Sequence, residues 1–129
     1  MQRRSFLLAL CLAPWLLRSA RAAAPLTVIY IGGWDCLPCA AWKREHKADW
    51  LASPEFRRIK WIEIEAPHLT EVYEDAYWPY DLRPVRDQLP KKVGTPRFLI
   101  VRDGKVVSNH FGKWANTLAD LKRLLAKQG

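Results

Sequence analysis

Apolar residues fall into two kinds of run along this chain. The first kind is short and β-branched. Thr27-Val28-Ile29-Tyr30-Ile31 ends at Gly32-Gly33 and predicts a buried strand. Lys60-Trp61-Ile62-Glu63-Ile64-Glu65 alternates and predicts a second, and Arg97-Phe98-Leu99-Ile100-Val101 a third. Asp103-Gly104 is a strong two-residue hairpin signal, after which Lys105-Val106-Val107 begins a fourth strand. The second kind of run has helical spacing. From Pro38 to about Leu51 the residues are good helix formers, with Trp42, His46 and Trp50 recurring every four. That face makes His46 a partly buried packing residue rather than a catalytic base. Ser53 before Pro54 reads as an N-cap opening a short helical turn. Beyond Gly112, Asn116 or Thr117 is expected to cap a closing helix with Leu118, Leu121, Leu124 and Leu125 in one stripe.

Between the second and third strands, residues 66–93 break both patterns. This insert contains Pro67, Pro79, Pro84 and Pro90 with the aromatics Tyr73, Tyr77, Trp78 and Tyr80, and offers at most a short helix over 81–89. Two readings stand for it: a partner surface, or a loop packed by its own rings. The order is thus β-α-β-(insert)-β-β-α. A strand, crossover helix and second strand imply a parallel pair, and the hairpin adds an antiparallel one. The expected fold is α/β: a small mixed sheet of about four strands with helices on both faces.

The first two dozen residues have a different pattern. Arg3 and Arg4 precede an apolar run that contains Pro14, and Arg18, Arg21 and Ala22-Ala23-Ala24 follow. A basic start, a short apolar stretch and small residues at the end make residues 1–22 a cleavable signal peptide. A run of about 12 residues is short of the ~20 that a membrane span needs. Arg3-Arg4-Ser5-Phe6-Leu7 resembles a twin-arginine export signal; an ordinary secretory signal with two arginines is the other reading. Cys11 lacks the flanking of a lipid-anchored cysteine. Either route places the mature domain, 23–129, in the bacterial periplasm.

This division changes the composition. A chain of 129 residues predicts one domain. Its formal net charge of +8 includes four arginines within 1–22 and no acid there, so the mature domain carries about 8 − 4 = +4. Nucleic acid is therefore not an expected partner, since no nucleic-acid motif remains either. Lys91, Lys92 and Arg97 beside Thr95-Pro96 read as a solvated rim or as a surface steering an acidic partner.

Cys36-Leu37-Pro38-Cys39 lies between the first strand and the first helix. A first cysteine at a helix start meets free N–H groups and the positive end of the helix dipole, which favour its thiolate. The three-residue spacing brings the second sulfur within disulfide reach. That assigns Cys36 as nucleophile and Cys39 as resolving thiol. A c-type haem site would need His where Ala40 stands. A zinc site would need two further ligands, and His46, His68 and His110 are scattered. A structural disulfide closing so short a loop would add little constraint. Thr95-Pro96 heads the third strand, which is a place for a cis X–Pro bond, though an ordinary trans proline fits too. The backbone before such a proline can pair with an extended peptide.

Taken together, these motifs resemble the thioredoxin superfamily over nearly all of the mature chain. The resemblance rests on a strand, Trp34-Asp35-Cys36-Leu37-Pro38-Cys39, a helix, a strand, Gly94-Thr95-Pro96, the Asp-Gly hairpin, Gly112 and the closing helix. It implies a thioredoxin-like fold, a cis Pro96 packed beside Cys36 and Cys39, and exchange through a mixed disulfide on Cys36 that Cys39 resolves. It also implies substrate contact by Trp34, Thr95 and Pro96, an active-site turn of Asp35, Leu37 and Pro38, and no cofactor beyond the redox-active disulfide. Four departures accompany it. The usual N-terminal strand–helix unit is missing. Asp35 separates Trp34 from Cys36, and its carboxylate should oppose the thiolate. The family's buried acid falls on Tyr30, and the insert is long and aromatic.

The resulting expectation is a monomeric periplasmic thiol–disulfide oxidoreductase that reduces or isomerises disulfides of exported proteins. A membrane or periplasmic electron-donor protein would recharge it. By the same resemblance, Pro38 and Thr95 imply electron donation, as in a reductase or isomerase, rather than oxidation. The alternative is a non-catalytic binding module or metallochaperone holding Cu(I) on the same two thiolates.

Overall fold

The computed structural model describes residues 25–128. The signal-peptide assignment of residues 1–22 lies outside the described residues. Four strands form one sheet in the order β2-β1-β3-β4: β1 Leu26–Gly33, β2 Ile59–Ala66, β3 Arg97–Arg102 and β4 Lys105–Phe111. β1 runs parallel to β2 and antiparallel to β3, and β3 and β4 form the hairpin. The hairpin turns through Asp103 and Gly104, both at positive φ (51° and 74°), as a two-residue turn matched to strand twist requires.

β1 and β3 are central strands, so both of their faces are covered, which explains runs that are apolar rather than alternating. Leu26, Val28, Tyr30, Phe98 and Ile100 face one core, and Ile29, Ile31, Leu99 and Val101 face the other. The first core lies under two helices, at 37–51 and Trp114–Gln128. α1 is one helical run over 37–51, made of an α segment Leu37–Trp42, a π-helical turn Lys43–Lys47 and an α segment Ala48–Leu51. α3 is Trp114–Gln128. Trp42, Trp50, Trp114, Phe98 and Tyr30 meet there, with centroid separations of 4.9 Å for Phe98–Trp114, 5.1 Å for Trp50–Trp114 and 5.1 Å for Tyr30–Trp42. Such ring pairs each add about 0.5–1.5 kcal/mol beyond burial.

The π turn was not apparent in the sequence. At about 100° per residue, eight residues of α-helix would leave Trp42 and Trp50 about 80° apart. The wider i→i+5 turn slows the rotation, and both indoles reach the core, 4% and 2% exposed. His46 is turned outward instead, its side chain about half exposed, so the expected packing role is corrected. Lys43 and Lys47 lean from the same turn onto β2 and pair with Glu65 and Glu63.

The insert covers the opposite face of the sheet. Three 3-10 turns (Leu69–Glu71, Asp75–Tyr77, Tyr80–Leu82) lead into α2, a single turn at Arg83–Arg86. Val72, Tyr73, Trp78, Val85 and Leu89 pack against Ile29, Ile31 and Leu99 as a second core. The insert is therefore more than a loop packed by its own rings: its inner side chains form the second layer of the domain, while its outer ones, Tyr80 among them, stay exposed.

The cap at Ser53 is present: its hydroxyl accepts from Phe56 N at 3.2 Å. The expected cap at Asn116 or Thr117 is not. α3 begins earlier, at Trp114, because the indole fills the aromatic core, and Asn116 N and Thr117 N bond to the Lys113 carbonyl. Leu121 and Leu125 are buried as expected, while Leu118 and Leu124 pack at the margin. Ser108 and His110 of β4 both bond to Asp120 of α3, at 2.8 and 2.7 Å. His110 first and Ser108 second hold that carboxyl below its ordinary pKa.

Candidate active site

β1 ends in Gly32-Gly33 because the insert approaches closely there: a Cβ on Gly33 would lie 2.8 Å from Leu69 Cα. The chain then turns sharply, with Cys36 N bonding to Gly33 O at 3.3 Å and Trp34 N to Ala66 O at 3.0 Å. Cys36 is the N-cap of α1 in extended conformation, and its Sγ accepts from Cys39 N at 3.2 Å. Pro38 sits in the first turn, where no N–H is needed. Cys36 and Cys39 form a disulfide with Cα atoms 5.2 Å apart. Cys36 and Cys39 are both buried.

Thr95 and Pro96 come from the far side of the sheet to the same point. The Thr95–Pro96 peptide is cis. Thr95 Oγ1 donates to Cys36 Sγ at 3.2 Å across 59 residues of sequence. Trp34 and Leu37 flank the disulfide and are strongly exposed, at 74% and 83%. Pro38 and Pro96 line an open groove of about 440 Å³ together with Trp42, His46, Gly112 and Trp114. The sequence-expected residues Trp34, Cys36, Leu37, Pro38, Cys39, Thr95 and Pro96 are thus assembled in one place.

Asp35 has a position that sequence did not foresee. Its Oδ1 accepts from Leu69 N at 2.8 Å and its Oδ2 lies 3.5 Å from His68 Nδ1, so it ties the turn before α1 to the insert. Tyr30, which stands where the family that the motifs resemble has a buried acid, is stacked under Trp42. Burial first, and the Glu65 carboxylate second, push its phenol far above the ordinary value. Tyr30 therefore stays protonated and cannot serve as a base for Cys39.

Lys91 and Lys92 are exposed as a rim would be, but Arg97 is not: it is 9% exposed and belongs to the interior. Its guanidinium bonds to Tyr73 Oη (3.1 Å), Asn109 Oδ1 (2.7 Å) and Val93 O (2.7 Å) and lies over the Phe111 ring. An arginine heading a run as apolar as Phe98-Leu99-Ile100-Val101 was a signal in itself, because a buried cation needs partners. Tyr73 had no such signal. Chemically, a disulfide at a helix N-terminus can accept a thiolate at one sulfur and release one at the other.

No protein-family model matches this sequence, and no curated protein matches it. Solved structures do share its architecture. The periplasmic thioredoxin SoxS from Paracoccus pantotrophus, in reduced form, is 20% identical with a TM-score of 0.54, covering 74% of this chain and 94% of that one. The thioredoxin of Trypanosoma brucei brucei is 21% identical (TM-score 0.53), covering 89% of this chain and 87% of that one. Spinach chloroplast thioredoxin f, short form, is 14% identical (TM-score 0.53), covering 79% and 78%. The chain has the thioredoxin fold, as the motif resemblance implied.

Proposed function

We propose, from a thioredoxin fold that carries its disulfide at the start of α1, that this chain is a periplasmic thiol–disulfide oxidoreductase which reduces or isomerises disulfides of exported proteins. The observation that carries the reading is the Cys36–Cys39 disulfide with Thr95 Oγ1 on Cys36 Sγ, beside the cis Pro96. The signal-like residues 1–22 and the likeness to a periplasmic thioredoxin support the compartment.

In the reduced protein the α1 N-terminus and the Thr95 hydroxyl favour the Cys36 thiolate. That thiolate attacks one sulfur of a client disulfide, forms the mixed disulfide and releases the other client sulfur as a thiolate. Cys39 then loses its proton and attacks Cys36 Sγ. The second client thiolate leaves, the Cys36–Cys39 disulfide forms, and two electrons have passed to the client. A donor protein with a dithiol of lower potential returns them. Trp34 and Leu37 supply apolar contact to the client, and Thr95 offers its backbone to an extended segment.

The test is trapping. Cys39→Ser removes the resolving thiol, so mixed disulfides on Cys36 accumulate with exported proteins and disappear on adding dithiothreitol. Absence of any such adduct in cells, or tight Cu(I) retention without disulfide turnover, overturns the reading.

A further inference from the structure

We infer that Tyr73 of the insert, with Arg97, is a positioning pair that fixes the Val93–Thr95 segment against Cys36 and so governs how a polypeptide client is held. The inference rests on the oxidoreductase reading above. Tyr73 Oη donates to Gly94 O at 2.7 Å and accepts from Arg97 Nε at 3.1 Å, so the phenol uses one donor and one acceptor. Burial raises its pKa, while Arg97 pulls it the other way. Arg97 also holds Val93 O at 2.7 Å. On the far side, Pro96 O accepts from Gly112 N at 2.8 Å.

The carbonyls of Val93, Gly94 and Pro96 are therefore all taken up inside the fold. Among the described residues, Thr95 is the exception in this segment: its own N–H and C=O have no hydrogen-bond partner. The clamp takes up the carbonyls on either side and leaves Thr95 with both backbone groups unpaired, and Thr95 is the residue whose hydroxyl touches Cys36 Sγ. An extended client segment pairing there gains main-chain hydrogen bonds next to its reacting sulfur.

The rest of the arrangement anchors the clamp. Gly94 has φ +94°, where a side chain would be strained and its Cβ would come within 3.0 Å of the Phe111 ring. Arg86 holds the Tyr73 carbonyl at 3.1 Å and is itself paired to Asp75 at 2.6 Å. Arg86 thus has a carboxylate, whereas Arg97 bonds to three neutral acceptors, Tyr73 Oη, Asn109 Oδ1 and Val93 O. Arg97 stays fixed only while Tyr73, Val93 and Asn109 supply those acceptors, which couples the insert to the Thr95 segment.

Tyr73→Phe keeps the ring and deletes the hydroxyl. The assay compares reduction of insulin, a polypeptide disulfide, with reduction of bis(2-hydroxyethyl) disulfide, which has no peptide backbone to pair with Thr95. The expected result for Tyr73→Phe is a KM for insulin raised roughly three- to tenfold, the worth of one hydrogen bond, with a smaller change in its kcat. A loss in binding common to ground and transition states appears in KM. Arg97→Lys, which keeps the charge but not the three-way fork, is expected to shift the same constant in the same direction. Tyr77→Phe removes another hydroxyl of the insert, one bonded to Glu71 rather than to 93–95, and should leave the insulin KM in place. If Tyr73→Phe lowers turnover of insulin and of bis(2-hydroxyethyl) disulfide in parallel, or leaves the insulin KM unchanged, the positioning role is overturned while the oxidoreductase reading stands. If the wild-type protein reduces neither disulfide, both fall together.

Discussion

Asp35 puts a negative charge one residue before Cys36, against the pull of the α1 N-terminus. Its carboxylate is shared with Leu69 N and approached by His68, and it is about half exposed, so water screens part of its effect. Asp35→Asn keeps an oxygen for Leu69 N and removes the charge. A neighbouring like charge raises a thiol pKa, so its removal lowers that of Cys36. The thiolate fraction near neutral pH is expected to rise roughly threefold, the size of one partly screened charge interaction. Rates of iodoacetamide alkylation of the reduced protein against pH would read this directly. A midpoint that stays put or moves up would show that Asp35 acts only as an anchor for the insert. Tyr30 illustrates the complementary point. An aromatic ring at the position of an acid exchanges a titrating group for one held neutral by burial, and stacks on Trp42 instead.

At the level of elements, the π turn in α1 reconciles a sequence spacing of eight with a single buried face. A single wide turn amounts to one residue more than an α-helix needs. Deleting the exposed Glu45 leaves Trp42 and Trp50 seven apart, which is about 700° of α-helix and within about 20° of the same face. The shortened helix is expected to keep the aromatic core, with a fall in Tm of only a few degrees, about what 1 kcal/mol gives in a domain of this size. Deleting Arg123 from α3 should do far more damage, because it turns Leu125 off the core. If both deletions unfold the chain alike, as thermal melts would show, the wide turn is not a tolerated insertion. The contrast also marks what was legible beforehand. β1, β3, the Asp103-Gly104 hairpin and the Cys36–Cys39 turn depend on local pattern and spacing, and all were readable. The π turn depends on where Trp114 and Trp61 leave room for two indoles. The place of Tyr73 depends on a buried Arg97 reaching across 24 residues. Neither is a local property, and the periodicity that made His46 a packing residue assumed an unbroken α-helix.

Across the whole molecule, two cores grip one sheet from opposite faces, and the disulfide lies where both are tied together. α1 and α3 hold it from the aromatic side. The insert reaches it through Asp35–Leu69 and through Tyr73–Gly94, and so builds part of the site as well as the second layer. The redox poise follows from how this frame treats the Cys36 thiolate, since whatever stabilises the thiolate stabilises the reduced state and raises the potential. Two groups favour it: the helix start and the Thr95 hydroxyl, which the clamp holds at 3.2 Å. Asp35 opposes it. Pro38 before Cys39 places no cationic side chain inside the turn, and the guanidinium of Arg97 is bound among its own acceptors on the face of the sheet opposite Phe98. With one carboxylate offsetting the dipole and no cation added within the turn, the reduced form gains little. The expected equilibrium potential therefore lies well below the roughly −120 mV of a strongly oxidising periplasmic protein and nearer the roughly −270 mV of thioredoxin. Equilibration with defined ratios of reduced to oxidised dithiothreitol, followed by trapping of free thiols, measures it. A value near −120 mV would show that the frame stabilises the Cys36 thiolate more than Asp35 opposes it, and would reverse the direction of electron flow from donation to oxidation.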